Sequence, residues 1–176
     1  MAVGQVRPGY ELWRPNREKA SSVTMKWLIV VLLLATAALA ALITIGGWTV
    51  LKGGAGMGVV CGIYALLYLL FAYRVARWSR GVLPLTAALS MILAILCAVG
   101  AESWFERDKS GFTEPLLPSS LIGVLVIVLG LLQIIVIAAA LYGFNQNWHV
   151  EEERPIGSGE DYGAGAAPGN GAPQPA

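Results

Sequence analysis

Charge is what this chain has least of. Of 176 residues only 13% are Asp, Glu, Lys or Arg, about half the share usual for a soluble domain. With 56% hydrophobic residues and a mean hydropathy of +0.65, that scarcity excludes an ordinary water-soluble enzyme. It also excludes disorder over most of the length, since disorder requires low hydrophobicity. A net charge of +1, with no clustered basic face, gives no basis for binding nucleic acid. The two cysteines cannot make a disulfide framework. With one histidine they build no metal-ligand cluster, so no cofactor or metal is expected. The phosphate loops, Cys/His catalytic pairs and helical zinc motifs that carry chemistry in other chains are missing too.

What the sequence has instead is length without charge. The hydrocarbon core of a bilayer is about 30 Å thick and takes about 20 apolar residues at 1.5 Å each to cross. Four stretches meet that length: 27–51, 56–73, 82–101 and 121–144. None contains Asp, Glu, Lys, Arg or His, and none shows the polar stripe of a helix in a soluble bundle. The fold class read from this is all-α, an integral membrane four-helix bundle. It has a juxtamembrane segment 1–26, a connector 102–120 and a tail 145–176 whose Gly/Ala/Pro-rich part, from about 157, reads as disordered. Pro84 falls in the first turn of the third span, where a missing N–H costs little. Pro115 and Pro118 precede the fourth, with Ser119 or Ser120 available to cap it. All six tryptophans avoid span centres. Trp27, Trp48, Trp78 and Trp148 are expected at the headgroup level, with Tyr73, Tyr142 and Phe144 in the same belt.

Orientation follows from the basic residues. Nine Lys and Arg lie in the N-terminal segment, the connector between spans two and three, and the tail; three lie on the other side. The positive-inside rule then puts both termini in the cytoplasm of a cell-membrane protein. The rival reading, a signal peptide cleaved near Ala38-Leu39-Ala40, conflicts with the long basic region before it and the apolar residues after it.

Lipid is as apolar as leucine, so spans associate through close packing and a few polar contacts. Gly54, Gly58 and Gly62 repeat every fourth residue and form a small-residue groove. It reads as a seam against another span of the same chain, in preference to a homodimer seam. Thr86 and Ser90 lie on one face of the third span. Gln133, the strongly polar side chain deep in the fourth, needs a partner and is placed facing inward. Tyr64 and Tyr68 read as packed residues. Spans two and three form a hairpin turning near 78–79, which sets Cys61 and Cys97 at one height as buried small side chains.

The absence of any ionisable residue within a span lowers the prospect of an ion pump or proton-coupled transporter. The outer connector is the most varied stretch. Trp104, Phe105, Glu106, Arg107, Asp108 and Phe112 make it a candidate partner-binding loop, against the plainer reading of a solvated connector anchored at the interface. Glu102 and Glu106 are one helical turn apart, but two carboxylates without a pocket are no acid/base site. The basic and aromatic N-terminal segment suits an anionic leaflet. Glu151, Glu152 and Glu153 are expected near Arg74, Arg77 or Arg80, and His149 reads as a solvated imidazole.

Gly9-Tyr10-Glu11-Leu12-Trp13-Arg14-Pro15 before the first span and Trp104-Phe105-Glu106-Arg107-Asp108 after the third give the chain a likeness to a known group. It resembles the small four-span membrane proteins, without assigned activity, of high-GC Gram-positive bacteria. The resemblance extends to about Pro155, implies the same four-span fold, and brings no substrate or catalytic residue. The function expected is that of a non-enzymatic accessory or scaffold subunit, with the lipid bilayer and other membrane proteins, or a second copy of itself, as partners. The alternative is an oligomeric channel or small-solute permease lined by Thr86, Ser90 and Gln133. A lipid-modifying enzyme using Glu102, Glu106 or Asp108 is a third.

Overall fold

The computed structural model describes residues 8–51, 54–106 and 115–156. In chain order the elements are β1 (Tyr10–Trp13), the short α1 (Pro15–Glu18), α2 (Ala20–Gly46), a 3-10 turn (Trp48–Val50), α3 (Gly54–Ala76), α4 (Val82–Phe105), α5 (Ser119–Asn145) and β2 (Glu152–Pro155). The chain divides into two compact units, one holding both ends of the chain and the other running from Asn16 to Trp148. Helices α2 to α5 form the second unit, and each is long and apolar enough to cross a membrane.

The helices outrun the apolar stretches that announce them. α2 begins at Ala20 rather than near Trp27, because the charge of Lys26 ends an apolar run without ending a helix. The Lys26 side chain is largely buried, its ammonium 4.6 Å from the centre of the Trp27 ring and 4.3 Å from that of Trp78. Such cation–π contacts strengthen when desolvated. At its other end α2 stops at Gly46, and Gly47 caps it through its N–H to the Ile43 carbonyl. Residues 48–50 are thus a 3-10 turn rather than part of the first span. α4 continues four residues beyond Ala101, through Glu102 to Phe105. α5 starts with Ser119 as a helical residue and Pro118 in the cap position. The serine cap expected there is therefore not made: the Ser119 hydroxyl is buried without a hydrogen-bond partner among the described residues.

The turn from α3 to α4 closes with the Ser79 N–H on the Arg74 carbonyl and the Trp78 N–H on the Val75 carbonyl. This is the Schellman pattern, whose left-handed position normally belongs to glycine. Here it is Trp78, with φ of 62°. A bulky residue in that region is strained. Its ring is held edge-on against Trp148, centroids 5.3 Å apart, with Arg17 and Lys26 over it. Trp148 itself has no exposed surface and joins Ile29, Leu33, Val75, Leu83 and Val136 in one core cluster. This corrects the expectation that Trp148 lies in a headgroup belt. A ring beyond the last helical turn can fold back over the bundle end, and burial outweighs the interface. Trp27 and Trp48 are about half exposed.

The other unit is described by its two short strands. β1 and β2 pair antiparallel, with Glu11 opposite Arg154 and Trp13 opposite Glu152. Arg154 donates to Glu11 Oε1 at 2.6 Å and lies over the Trp13 ring. Arg14 pairs with Glu151. Within this unit Glu151 is thus engaged by the N-terminal segment, and that segment forms a strand. In the helical unit Arg80 donates to the Phe144 carbonyl at 2.8 Å, where a cation suits the C-terminal end of α5.

Candidate functional site

The centre of the helical unit is a polar layer to which each long helix contributes one residue: Thr36 from α2, Tyr68 from α3, Ser90 from α4 and Gln133 from α5. All four side chains have no exposed surface. The Tyr68 hydroxyl donates to Gln133 Oε1 at 2.9 Å and lies 3.1 Å from the Ser90 hydroxyl. Having one proton, Tyr68 must accept from Ser90. Gln133 Nε2 donates to the Leu129 carbonyl at 3.1 Å and, at 3.4 Å, to Thr36 Oγ1. Thr36 in turn donates to the Leu32 carbonyl at 2.9 Å. Each side chain in the chain of donors has a partner, which is what a polar group in an apolar interior requires. Thr86 is as deeply buried but bonds to the Val82 carbonyl of its own helix.

One helical turn from this layer, toward the α2–α3 connector, the bundle opens. α4 packs extensively on α5 and α2 on both α3 and α5, but α3 and α4 touch sparsely. Between them is a cavity of about 440 Å³. Its back wall, with Ala40, Ile43 and Thr44 from α2 and Val126 and Leu129 from α5, is buried. Its sides are Val60, Cys61 and Tyr64 on α3 and Leu96, Cys97 and Gly100 on α4. The exposed members, Val60, Leu96 and Val99, are all on α3 and α4, so the mouth faces sideways between those two helices. The lining is mostly aliphatic. Two of its hydroxyls are turned to their own helices, Thr44 donating to the Ala40 carbonyl at 2.7 Å and Ser103 to that of Gly100 at 3.0 Å; the third is the Tyr64 phenol. A second hollow of about 410 Å³ on the α4–α5 seam is lined by those two helices alone.

The glycine repeat does not act as one groove. Gly58 is covered by the Trp48 ring, which occupies the place a Cβ would need; nothing stands within 4 Å of such a Cβ at Gly62. Gly54 opens α3. The close approach is therefore to a tryptophan from the preceding turn, not to another helix backbone. Of the loop residues, Trp104 is buried, lines the crevice end and fills the space beside Gly47, where a Cβ would stand 2.6 Å from its ring. It is inside the bundle, not on a binding loop. Phe105 is 45% exposed and its ring faces Gly123. Glu102 and Glu106 are exposed. Arg107, Asp108 and Phe112 lie outside the described residues. Cys61 and Cys97 both line the crevice, one on each side, with Cys97 buried.

Thr36 and the crevice were missed by the sequence reading. The other three residues of the layer were legible singly, Ser90 and Gln133 as inward-facing and Tyr68 as packed, but not their joining. Taken together, four long apolar helices tied by an internal polar layer, with a sideways-facing apolar cavity, define the class: a helical bundle compatible with a multi-pass membrane protein. Comparison with known protein families, curated proteins and solved structures gives no match.

Proposed function

We propose that the chain is a non-enzymatic multi-pass protein of the cell membrane that works by binding within the bilayer, as an accessory or scaffold subunit. The observation that carries this reading is the preformed crevice between α3 and α4, backed by a layer whose hydrogen bonds are already made. A cavity of this size is in the range of small-molecule and cofactor sites. Its walls are mostly hydrocarbon, with two thiols and the Tyr64 phenol but, among the described residues, no carboxylate, amine or imidazole to activate them, which supports recognition over chemistry. A path through the bundle gains no support from the same residues. Ser90 and Gln133, which a channel would need facing a lumen, are both bonded to Tyr68 of α3, and Gln133 also to Thr36 of α2 and to the Leu129 carbonyl of its own helix. Flux assays on reconstituted vesicles are expected to show no passage of ions or small solutes. The excess of Lys and Arg on the side of both termini supports a cytoplasmic location for the two ends, and compartment-specific tags at each end test it. Kinship with the small four-span proteins is part of the same proposal.

Purification of the tagged full-length protein in mild detergent tests the main reading. A companion, either a protein or retained lipid, is expected at a fixed ratio. Recovery of the bare monomer alone overturns it.

A further inference from the structure

We infer that the α3–α4 crevice is a seat for one hydrocarbon tail of a bilayer lipid, taken from the leaflet on the side of the α2–α3 connector. The inference rests on the binding role proposed above and names its ligand. Depth decides between the candidate occupants. On α4 the lining runs from Leu93 to Trp104, which at 1.5 Å per residue is about 16 Å. That is about half of the 30 Å hydrocarbon core, and so the reach of one leaflet. The crevice ends where Tyr68, Ser90 and Gln133 close the bundle. A transmembrane helix from a partner would need a groove running the whole depth and is stopped at that layer. A lipid tail entering from the side ends where the layer begins.

Chemistry agrees with depth. The lining offers methyl and methylene groups from Ile43, Val60, Leu93, Leu96 and Val126, while Thr44 and Ser103 give their protons to their own helices. A solute carrying several polar groups would lose its water here and find few replacement partners beyond the Tyr64 phenol and two weakly bonding thiols, which is costly. A hydrocarbon chain loses nothing. Position agrees as well, since the mouth lies between Val60, Leu96 and Val99, the last 77% exposed, on the flank that a bilayer's chains surround.

Gly100 provides a way to fill the site without disturbing its walls. It lines the crevice, and a Cβ added there meets nothing within 4 Å. Because Gly100 is on the lining, a phenylalanine at this position is expected to fill part of the cavity, and its Cβ meets no clash that would move the backbone. The full-length protein is reconstituted into phosphatidylcholine–phosphatidylglycerol vesicles containing a phosphatidylcholine with a diazirine on one acyl chain. The sample is then photolysed and the adducts mapped by mass spectrometry. Adducts are expected to concentrate several-fold on Cys61, Leu96, Cys97 and Gly100 relative to Val31 and Leu66, which are 60% and 66% exposed on other faces. In Gly100→Phe the adducts on Cys61, Leu96 and Cys97 are expected to fall to the level of Val31 and Leu66, with thermal stability in detergent retained. Even labelling around the whole bundle, or enrichment unchanged in Gly100→Phe, overturns the lipid seat. If a protein co-purifies while labelling is even, the lipid seat fails and the accessory role stands. If neither lipid enrichment nor a companion is found, both fail.

Discussion

On one side of the polar layer, Trp148, Ile29, Leu33, Val75, Leu83 and Val136 seal the bundle with side chains of little or no exposure. On the other, α3 and α4 stand apart around a cavity of about 440 Å³. The same four helices make both halves. The difference is side-chain bulk. The closed half has two tryptophan rings packed edge-to-face over its end, and its core reaches 0% exposure on α2, α3, α4 and α5. In the open half the α3–α4 seam carries Cys61, Cys97 and Gly100, too small to fill the space between diverging helices. Interiors are normally close-packed, and an unfilled region forfeits contact energy. A protein that closes one half and leaves the other open has placed its stability in the first and kept the second for an occupant.

The sharpest way to break that comparison is to remove bulk from each half. Trp148→Ala empties the largest fully buried side chain and is expected to cost about 3–5 kcal/mol. Leu96→Ala trims a residue already 53% exposed at the crevice mouth and should stay within about 0.5 kcal/mol. Unfolding of the two variants in matched detergent checks this; similar losses would mean that the halves are not distinct. A second test concerns what the closed half can hold in place. Trp78→Ala keeps the left-handed backbone and loses the ring, whereas Trp78→Gly loses the ring and relieves the backbone. The glycine variant should be the more stable by about 1 kcal/mol. If the alanine variant equals it, Trp78 is not strained and the packing is not holding it.

The layer between the halves should show a smaller effect. Hydrogen bonds between membrane helices average about 0.6 kcal/mol in double-mutant cycles, with a maximum near 1.7. A cycle of Tyr68→Phe and Gln133→Leu is expected to give a coupling in that range. Zero coupling would remove the layer as the divider. A Gln133→Leu variant as stable as the parent would fit well, since replacing a buried polar group by an apolar one of similar shape can be nearly neutral; the coupling, not the single loss, is the measure.

These elements were unequally visible in the sequence, for physical reasons. A bilayer-length run without charge is a coarse signal, and it located all four long helices. Their ends were misread where charge and helix part company, as at Lys26, whose ammonium is held over two indole rings, and at Glu102, which α4 carries past the apolar run. Ser90 and Gln133 were legible as inward-facing because hydrocarbon leaves a polar side chain few choices. Thr36 was not, since a threonine in a helix can bond to its own backbone, as it does, and so announces no partner. Trp104 and Trp148 misled because a tryptophan near a span end signals the interface on average, while these two rings fold back into the core. The crevice depends on how far two helices diverge, which no run of residues encodes. The pairing of four-residue strands from opposite ends of the chain was equally hidden, because strands that short carry no period of their own.

The finest test of the two-halves comparison uses glycine, because its effect changes sign with its surroundings. Within a helix, glycine is less favourable than alanine by about 0.5–1 kcal/mol. At Gly62 and Gly100 a Cβ would meet nothing within 4 Å, so alanine gains helix propensity without a clash. Each variant should be more stable than the parent by up to about 1 kcal/mol. Gly58 lies on α3 one turn from Gly62, yet the Trp48 ring occupies the place of its Cβ. There alanine must displace an indole, and the sign should reverse to a loss. Unfolding temperatures of the three alanine variants, measured together, decide the matter. Three gains would mean that Trp48 yields freely and does not pack the connector end. Three losses would mean that the open half is already full, and that no occupant is needed to explain its shape.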